Sequence, residues 1–190
     1  GRVWLTGFWG AGLAVPVYDS DGALDLSFVE GGGLAGAEAG GFVNQLMRNI
    51  GGGRFEGVPG AAGADDEGYG HGCAVGDIDG DGDVDLFVAN VGLDRLYRNE
   101  EAHFVDATEE GGVAGEGWST SSAFLDVDAD GDLDLFVAKN LRWDPVRELP
   151  CASQSGEPEY CGPLVYDSPS TDRLYENDGS GRFVDVSEAA

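Results

Sequence analysis

The sequence predicts an all-β fold assembled from β-propeller blades, about three four-stranded units in a chain of 190 residues. Three observations lead there. An acidic segment recurs at intervals of roughly fifty residues. Each recurrence is followed by the same series of short apolar stretches. No stretch shows a sustained helical period. Four short strands per unit at such a period is the pattern of propeller blades.

The repeat comes first. Asp77-Ile-Asp-Gly-Asp-Gly-Asp-Val-Asp-Leu-Phe-Val-Ala-Asn90 returns 49 residues later as Asp126-Val-Asp-Ala-Asp-Gly-Asp-Leu-Asp-Leu-Phe-Val-Ala-Lys139. A degraded copy, Val17-Tyr-Asp-Ser-Asp-Gly-Ala-Leu-Asp-Leu-Ser-Phe-Val29, lies 60 residues ahead of the middle one. A second element follows each: Asn44–Asn49, Asp94–Asn99 and Asp172–Asn177. Aromatic stretches then begin at Phe55, Phe104 and Phe183, and Trp9, Tyr69 and Trp118 precede the acidic segments in phase. In the middle unit the strands are expected at 70–76, 85–90, 95–99 and 103–107. Each is short, rich in Val, Leu, Phe and Tyr, and bounded by Gly, Asp or Asn. Leu86-Phe87-Val88-Ala89 is apolar throughout, as a strand buried on both faces would be. The whole chain, 1–190, reads as one propeller segment with units at about 1–63, 64–113 and 114–190.

The last unit carries an insertion at 141–171, with five prolines, Cys151 and Cys161. It reads as an ordered loop closed by a Cys151–Cys161 bridge; the alternative is two reduced thiols in a flexible loop. An acidic, calcium-type protein suggests an oxidising compartment, which favours the bridge. Cys73 lies in an apolar strand and is expected to be a buried, inert thiol.

The chemistry lies in the pattern Asp-x-Asp-x-Asp-Gly-x-x-Asp. Calcium takes six to eight oxygen ligands, and alternating carboxylates on a tight loop converge on one point. Glycine at the sixth position permits the turn. The middle loop offers Asp77, Asp79, Asp81 and Asp85, with Asp83 giving its carbonyl. The last loop offers Asp126, Asp128, Asp130 and Asp134, with Asp132 giving its carbonyl. Oxygen-only ligation argues against zinc and copper, and magnesium keeps its waters. Val88 stands where an EF-hand needs its bidentate Glu, so the loop is of another kind. The first copy keeps only Asp19, Asp21 and Asp25, and is a weaker calcium candidate.

Charge bounds the partners. Thirty-six acidic residues face ten basic ones, a formal charge of −26. Nucleic acid and anionic membrane surfaces are therefore disfavoured, and no apolar run is long enough for a helical span. Thirteen acids lie in the three loops, so two bound calcium ions would offset only part of the excess.

The run Gly76–Leu86, with Asp94-Arg-Leu-Tyr-Arg-Asn99, Phe104-Val-Asp-Ala-Thr108 and Gly117-Trp118-Ser119, resembles the FG-GAP/VCBS repeat superfamily. Within it, the bacterial relatives of cartilage acidic protein (ASPIC/UnbV-type) look closest, and Cys161-Gly-Pro163 ahead of Asp172-Arg-Leu-Tyr175 looks like that subgroup. The resemblance implies calcium-bearing propeller blades, usually secreted and used in adhesion or matrix contacts. Family propellers have more blades than the three units here, and the first unit lacks its leading Asp. The register of the last strand, Phe183–Ala190, runs on into that of Gly1. Three explanations fit: an excerpt of a longer propeller, a ring of two copies, or head-to-tail joining by strand addition.

The functional expectation is an extracellular or cell-surface, non-enzymatic calcium-binding propeller with a structural or adhesive role, assembling with its own copies or contacting a matrix protein or glycan. One alternative is an enzyme of the lyase, cyclase or hydrolase type, for which His71, His103 and the Arg142-Trp143-Asp144 stretch are the available groups. No nucleophile elbow, zinc motif or phosphate loop supports it. The other is a lectin using Trp4, Trp9, Trp118 or Trp143, although Trp9 and Trp118 repeat in phase as core residues do.

Overall fold

The computed structural model describes residues 12–31, 42–142, 149–153, 155–159, 161 and 163–188. Trp4, Trp9, Trp143 and Asp144 lie outside the described residues. The architecture is all-β and β-propeller-like. The first unit is an antiparallel sheet of β1 (Gly12–Ala14), β2 (Leu26–Val29), β3 (Gln45–Asn49) and β4 (Phe55–Val58), in that order. The second is β5 (Tyr69–Gly76), β6 (Asp85–Leu93), β7 (Arg95–Asn99) and β8 (Phe104–Asp106). The third is β9 (Glu116–Leu125), β10 (Asp134–Lys139), β13 (Arg173–Asn177) and β14 (Phe183–Asp185).

Between β10 and β13 comes the insertion. It contains the two-stranded β11 (Cys151–Ala152) and β12 (Pro158–Glu159) and a short helix, α1 (Pro163–Tyr166). Cys151 and Cys161 are bonded to each other, as the bridged reading expects.

The second and third units share one curled ladder. β6 runs past its own unit, and Val91, Gly92 and Leu93 pair with Trp118, Gly117 and Glu116 of β9. The first strands of successive units also approach closely. A Cβ built on Gly12 would lie 3.0 Å from Gly72 Cα, and one built on Gly72 would lie 3.0 Å from Ser121 Cα and 2.8 Å from Thr120 O. Gly12, Gly72 and Ser121 occupy the same register of the repeat. Glycine at 72 therefore answers a steric need, not a loop preference.

The core lies between units. One cluster joins Ile78, Phe87, Ala89 and Leu96 of the second unit to Leu135, Val137, Tyr175 and Phe183 of the third. The other joins Tyr18, Val29 and Leu46 of the first unit to Leu86, Val88, Tyr97 and Phe104 of the second. Successive side chains of β6 point to opposite faces, so Leu86 and Val88 serve one junction while Phe87 and Ala89 serve the other. That is why this run is apolar without alternation.

Candidate metal centre

All three acidic loops connect the first strand of a unit to its second, so they lie at the same register of each blade. Each is folded by its own carboxylates. Asp77 Oδ1 and Oδ2 accept the Gly80 and Gly82 amides at 2.8 and 3.0 Å. Asp126 accepts the Ala129 and Gly131 amides in the same way, at 2.7 and 3.2 Å. Asp81 Oδ1 takes the Asp83 amide, and Asp130 Oδ1 the Asp132 amide. Gly80, Gly82 and Gly131 have positive φ, the conformation that the turn demands.

Carboxylate oxygens converge in two of the loops. Those of Asp77, Asp79 and Asp85 lie within 4.8 Å of one another, as do those of Asp126, Asp128 and Asp130. Asp79 Oδ1 is buried without a hydrogen-bond partner. A buried carboxylate oxygen left unpaired is costly, and a hard cation is the partner this donor set suits. The residues present thus fit calcium. Burial and the neighbouring Asp81 raise the Asp79 carboxyl above the usual range, while Arg98 opposes the rise. Asp132 is also raised, by desolvation and by Asp130, Asp126, Asp128 and Asp134.

The seventh-position side chains make further contacts outside their own loops. Asp83 accepts the Ser20 hydroxyl at 2.8 Å from the preceding unit and the Glu101 amide at 3.2 Å. Asp132 lies against Gly179, where a Cβ would stand 2.5 Å from its Oδ2.

The ninth-position aspartates do a second job that spacing alone does not reveal. Asp85 is fully buried, and its carboxylate accepts the Ile78 amide at 2.9 Å and the Asn99 amide at 2.8 Å. Asp134 does the same for Val127 and Asn177, and Asp25 for Tyr18 and Asn49. Burial nonetheless pushes the Asp85 carboxyl up to about 7, against the pull of those two amides. Asn99 and Asn177 complete a clamp between units. Asn99 Nδ2 donates to Val84 O in its own loop and to Tyr18 O of the preceding one; Asn177 Nδ2 donates to Leu133 O and Ile78 O.

The loops differ in their counter-charge. In the first, Arg48 Nε lies 2.8 Å from Asp19, and a terminal nitrogen lies 3.6 Å from Asp21. Among the described residues its carboxylates form no convergent group. In the second, Arg98 pairs with Asp79 at 3.2 Å. In the third, the same register holds Glu176, an acid, so this loop has no arginine in that place.

A family comparison now bears on these loops. A model of the FG-GAP-like repeat matches residues 18–88 and again 77–137, in phase with the acidic loops. The chain belongs to the FG-GAP-like repeat family. No curated protein matches it. The first match begins at Tyr18, one residue after Val17, and takes in Asp19, Asp21 and Asp25.

The remaining candidates are dispersed. His71 is a bulge residue on β5, half-buried beside the rings of Tyr69 and Trp118 at 5.3 and 5.9 Å, and burial lowers its pKa. His103 is exposed in the turn before β8, and Arg142 is exposed at the start of the insertion. Trp118 is buried, as its phase in the repeat suggests. Cys73 is a free thiol, and burial raises its pKa to about 11.

One polar cluster was visible in the sequence only as a lone lysine. Lys139, the single lysine of the chain, places its ammonium 2.8 Å from Asp94 Oδ2 and 2.6 Å from Ser119 Oγ. The two charged side chains are 3% and 2% exposed. Asp94 also accepts the Asn90 amide and the Ser119 hydroxyl, each at 2.8 Å. Burial raises its carboxyl, and Lys139 is the strongest opposing influence. The cluster ties the second unit to the third.

Proposed function

We propose that this FG-GAP-like repeat chain is an extracellular calcium-binding propeller module with a structural or adhesive role, whose copies assemble with one another. The observation that carries the reading is the in-phase convergence of carboxylates in two loops, with Asp79 Oδ1 buried and unpaired. Calcium would neutralise the acids, stiffen the loops and, through Asn99 and Asn177, steady each blade against its neighbour. Asp77, Asp79, Asp81 and Asp85 would hold one ion with the Asp83 carbonyl. Asp126, Asp128, Asp130 and Asp134 would hold the other with the Asp132 carbonyl. Arg48 occupies the corresponding space around Asp19 and Asp21, so Asp19, Asp21 and Asp25 form the weakest candidate.

The Cys151–Cys161 bridge supports an oxidising, extracellular setting. Among the described residues, no helix is long and apolar enough to cross a membrane. The likeness of the repeat motifs to the bacterial relatives of cartilage acidic protein supports the matrix or surface role. Isothermal titration with calcium tests the metal reading. The parent should bind two ions, Asp77→Asn and Asp126→Asn one each, and no heat from the parent would end it.

A further inference from the structure

The third strand of each blade sets its fourth residue in one register: Arg48 in β3, Arg98 in β7 and Glu176 in β13. Both arginines reach the same point of their loops, the aspartate at the third position of the acidic repeat. Arg48 Nε lies 2.8 Å from Asp19 Oδ2, and Arg98 Nε lies 3.2 Å from Asp79 Oδ2. The two aspartate side chains are 11% and 15% exposed, so solvent ions screen these pairs poorly. In the third blade the register holds an exposed acid in place of a cation.

The arginines differ in what else they hold. Among the described residues, the second partner of Arg48 is Asp21, at 3.6 Å and in the same loop. The second partner of Arg98 is Glu100, whose carboxylate lies 4.0 Å from Nη1 and outside the loop. Ile50 stands in the register of Glu100 in the first blade. Arg98 can therefore move its pairing out of the loop onto an exposed carboxylate, whereas both ion pairs of Arg48 bind it to its loop.

We propose that this register sets the order in which the loops take calcium: the Glu176 loop binds the ion more tightly, and the Arg98 loop binds it only as Arg98 gives up Asp79. This rests on the calcium reading above and concerns how those sites are regulated. A guanidinium and a calcium ion compete for the Asp79 carboxylate, because each needs its negative charge, and a cation held at the loop repels another. Arg98 thus acts as a tethered counter-ion. It steadies the second loop when calcium is scarce and raises the concentration at which that loop fills. The third loop has no arginine in that place, so the mutual repulsion of its carboxylates is relieved chiefly by the ion itself. One chain then carries two calcium sites that fill in sequence, the third blade before the second.

The test is isothermal calcium titration in single-site backgrounds, where Asp126→Asn isolates the second loop and Asp77→Asn the third. The third should bind roughly tenfold more tightly, as when one fixed cation opposes a divalent ion in partly screened surroundings. Arg98→Gln in the Asp126→Asn background should tighten binding, and Glu176→Arg in the Asp77→Asn background should weaken it. Glu176 is exposed, so its variant carries the test should Arg98→Gln misfold. Melting in chelator is the second readout: Arg98→Gln should melt below its background and Glu176→Arg above its own, the reverse of their effects on affinity. Loss of Arg98 that lowers the midpoint without tightening calcium overturns the proposal, because the arginine is then structural only. Two loops of equal affinity that neither variant changes overturn it too, while leaving the calcium reading intact. No heat from the parent or from either background ends the calcium reading and the proposal with it.

Discussion

Replacing Lys139 by methionine is the sharpest perturbation of the junction between the second and third blades. Methionine keeps most of the aliphatic length and removes the ammonium. Asp94, 2% exposed at its side chain, then keeps the Asn90 amide and the Ser119 hydroxyl but loses its counter-charge. Breaking one side of a buried ion pair costs about 3–5 kcal/mol, because the other charge remains uncompensated. For a chain of this size each kcal/mol moves the midpoint by about 2–4 °C, so Lys139→Met should melt ~6–20 °C below the parent. Asp94→Asn in the Lys139→Met background removes the stranded charge while its carbonyl can still accept the Asn90 amide. The double variant should therefore be more stable than Lys139→Met alone.

The pH dependence follows with a definite sign. Burial already raises the Asp94 carboxyl, and Lys139 holds it down. Without Lys139 the folded value rises further above the unfolded value of about 3.9, so the folded state binds the proton more readily. Lys139→Met should then gain stability relative to the parent as pH falls from neutrality toward that unfolded value. Thermal melts by circular dichroism at several pH values read both effects. A Lys139→Met protein within about 1 kcal/mol of the parent at neutral pH would refute the reasoning.

Three further outcomes are expected. Gly72→Ala places a methyl 2.8 Å from Thr120 O and 3.0 Å from Ser121 Cα, both backbone atoms; urea unfolding should show a loss of about 1–3 kcal/mol, since backbone yields poorly. Asn177→Ala removes donors to Ile78 O and Leu133 O, bonds of 2.8 and 3.0 Å, and should cost about 1–3 kcal/mol with less cooperative unfolding between blades. The Cys73 thiol, held near 11 by burial, should react with iodoacetamide at neutral pH far more slowly than after unfolding, as mass spectrometry would show.

Much of the fold was legible because the sequence repeats itself. The four expected strands of the middle unit coincide closely with β5 to β8, since Leu86–Ala89, Arg95–Asn99 and Phe104 each recur in register. The extension of β6 through Val91–Leu93 to β9 was not legible: Val91-Gly92-Leu93 has no counterpart signal in the motif, and its partner is a different blade. The acidic loops showed their positions but not their division of labour. Spacing made Asp85 and Asp134 ligands, whereas folding also makes them acceptors for two backbone amides apiece, a role that depends on Asn99 and Asn177 arriving from another strand. Arg48 opposite Asp19 and Glu176 in the register of Arg98 could have been read by aligning the three units position by position. Lys139 could not, because its partner Asp94 lies in the preceding unit, 45 residues away.

The central claim is that the acidic loops hold calcium and that the ion supports the blades. Scanning calorimetry of the parent in saturating calcium and in chelator tests it most directly. At a hundred times the dissociation constant, one occupied site should stabilise the fold by about 2.7 kcal/mol, a rise of ~5–11 °C. Asp126→Asn should lose part of that rise. An identical midpoint in calcium and in chelator would contradict the account.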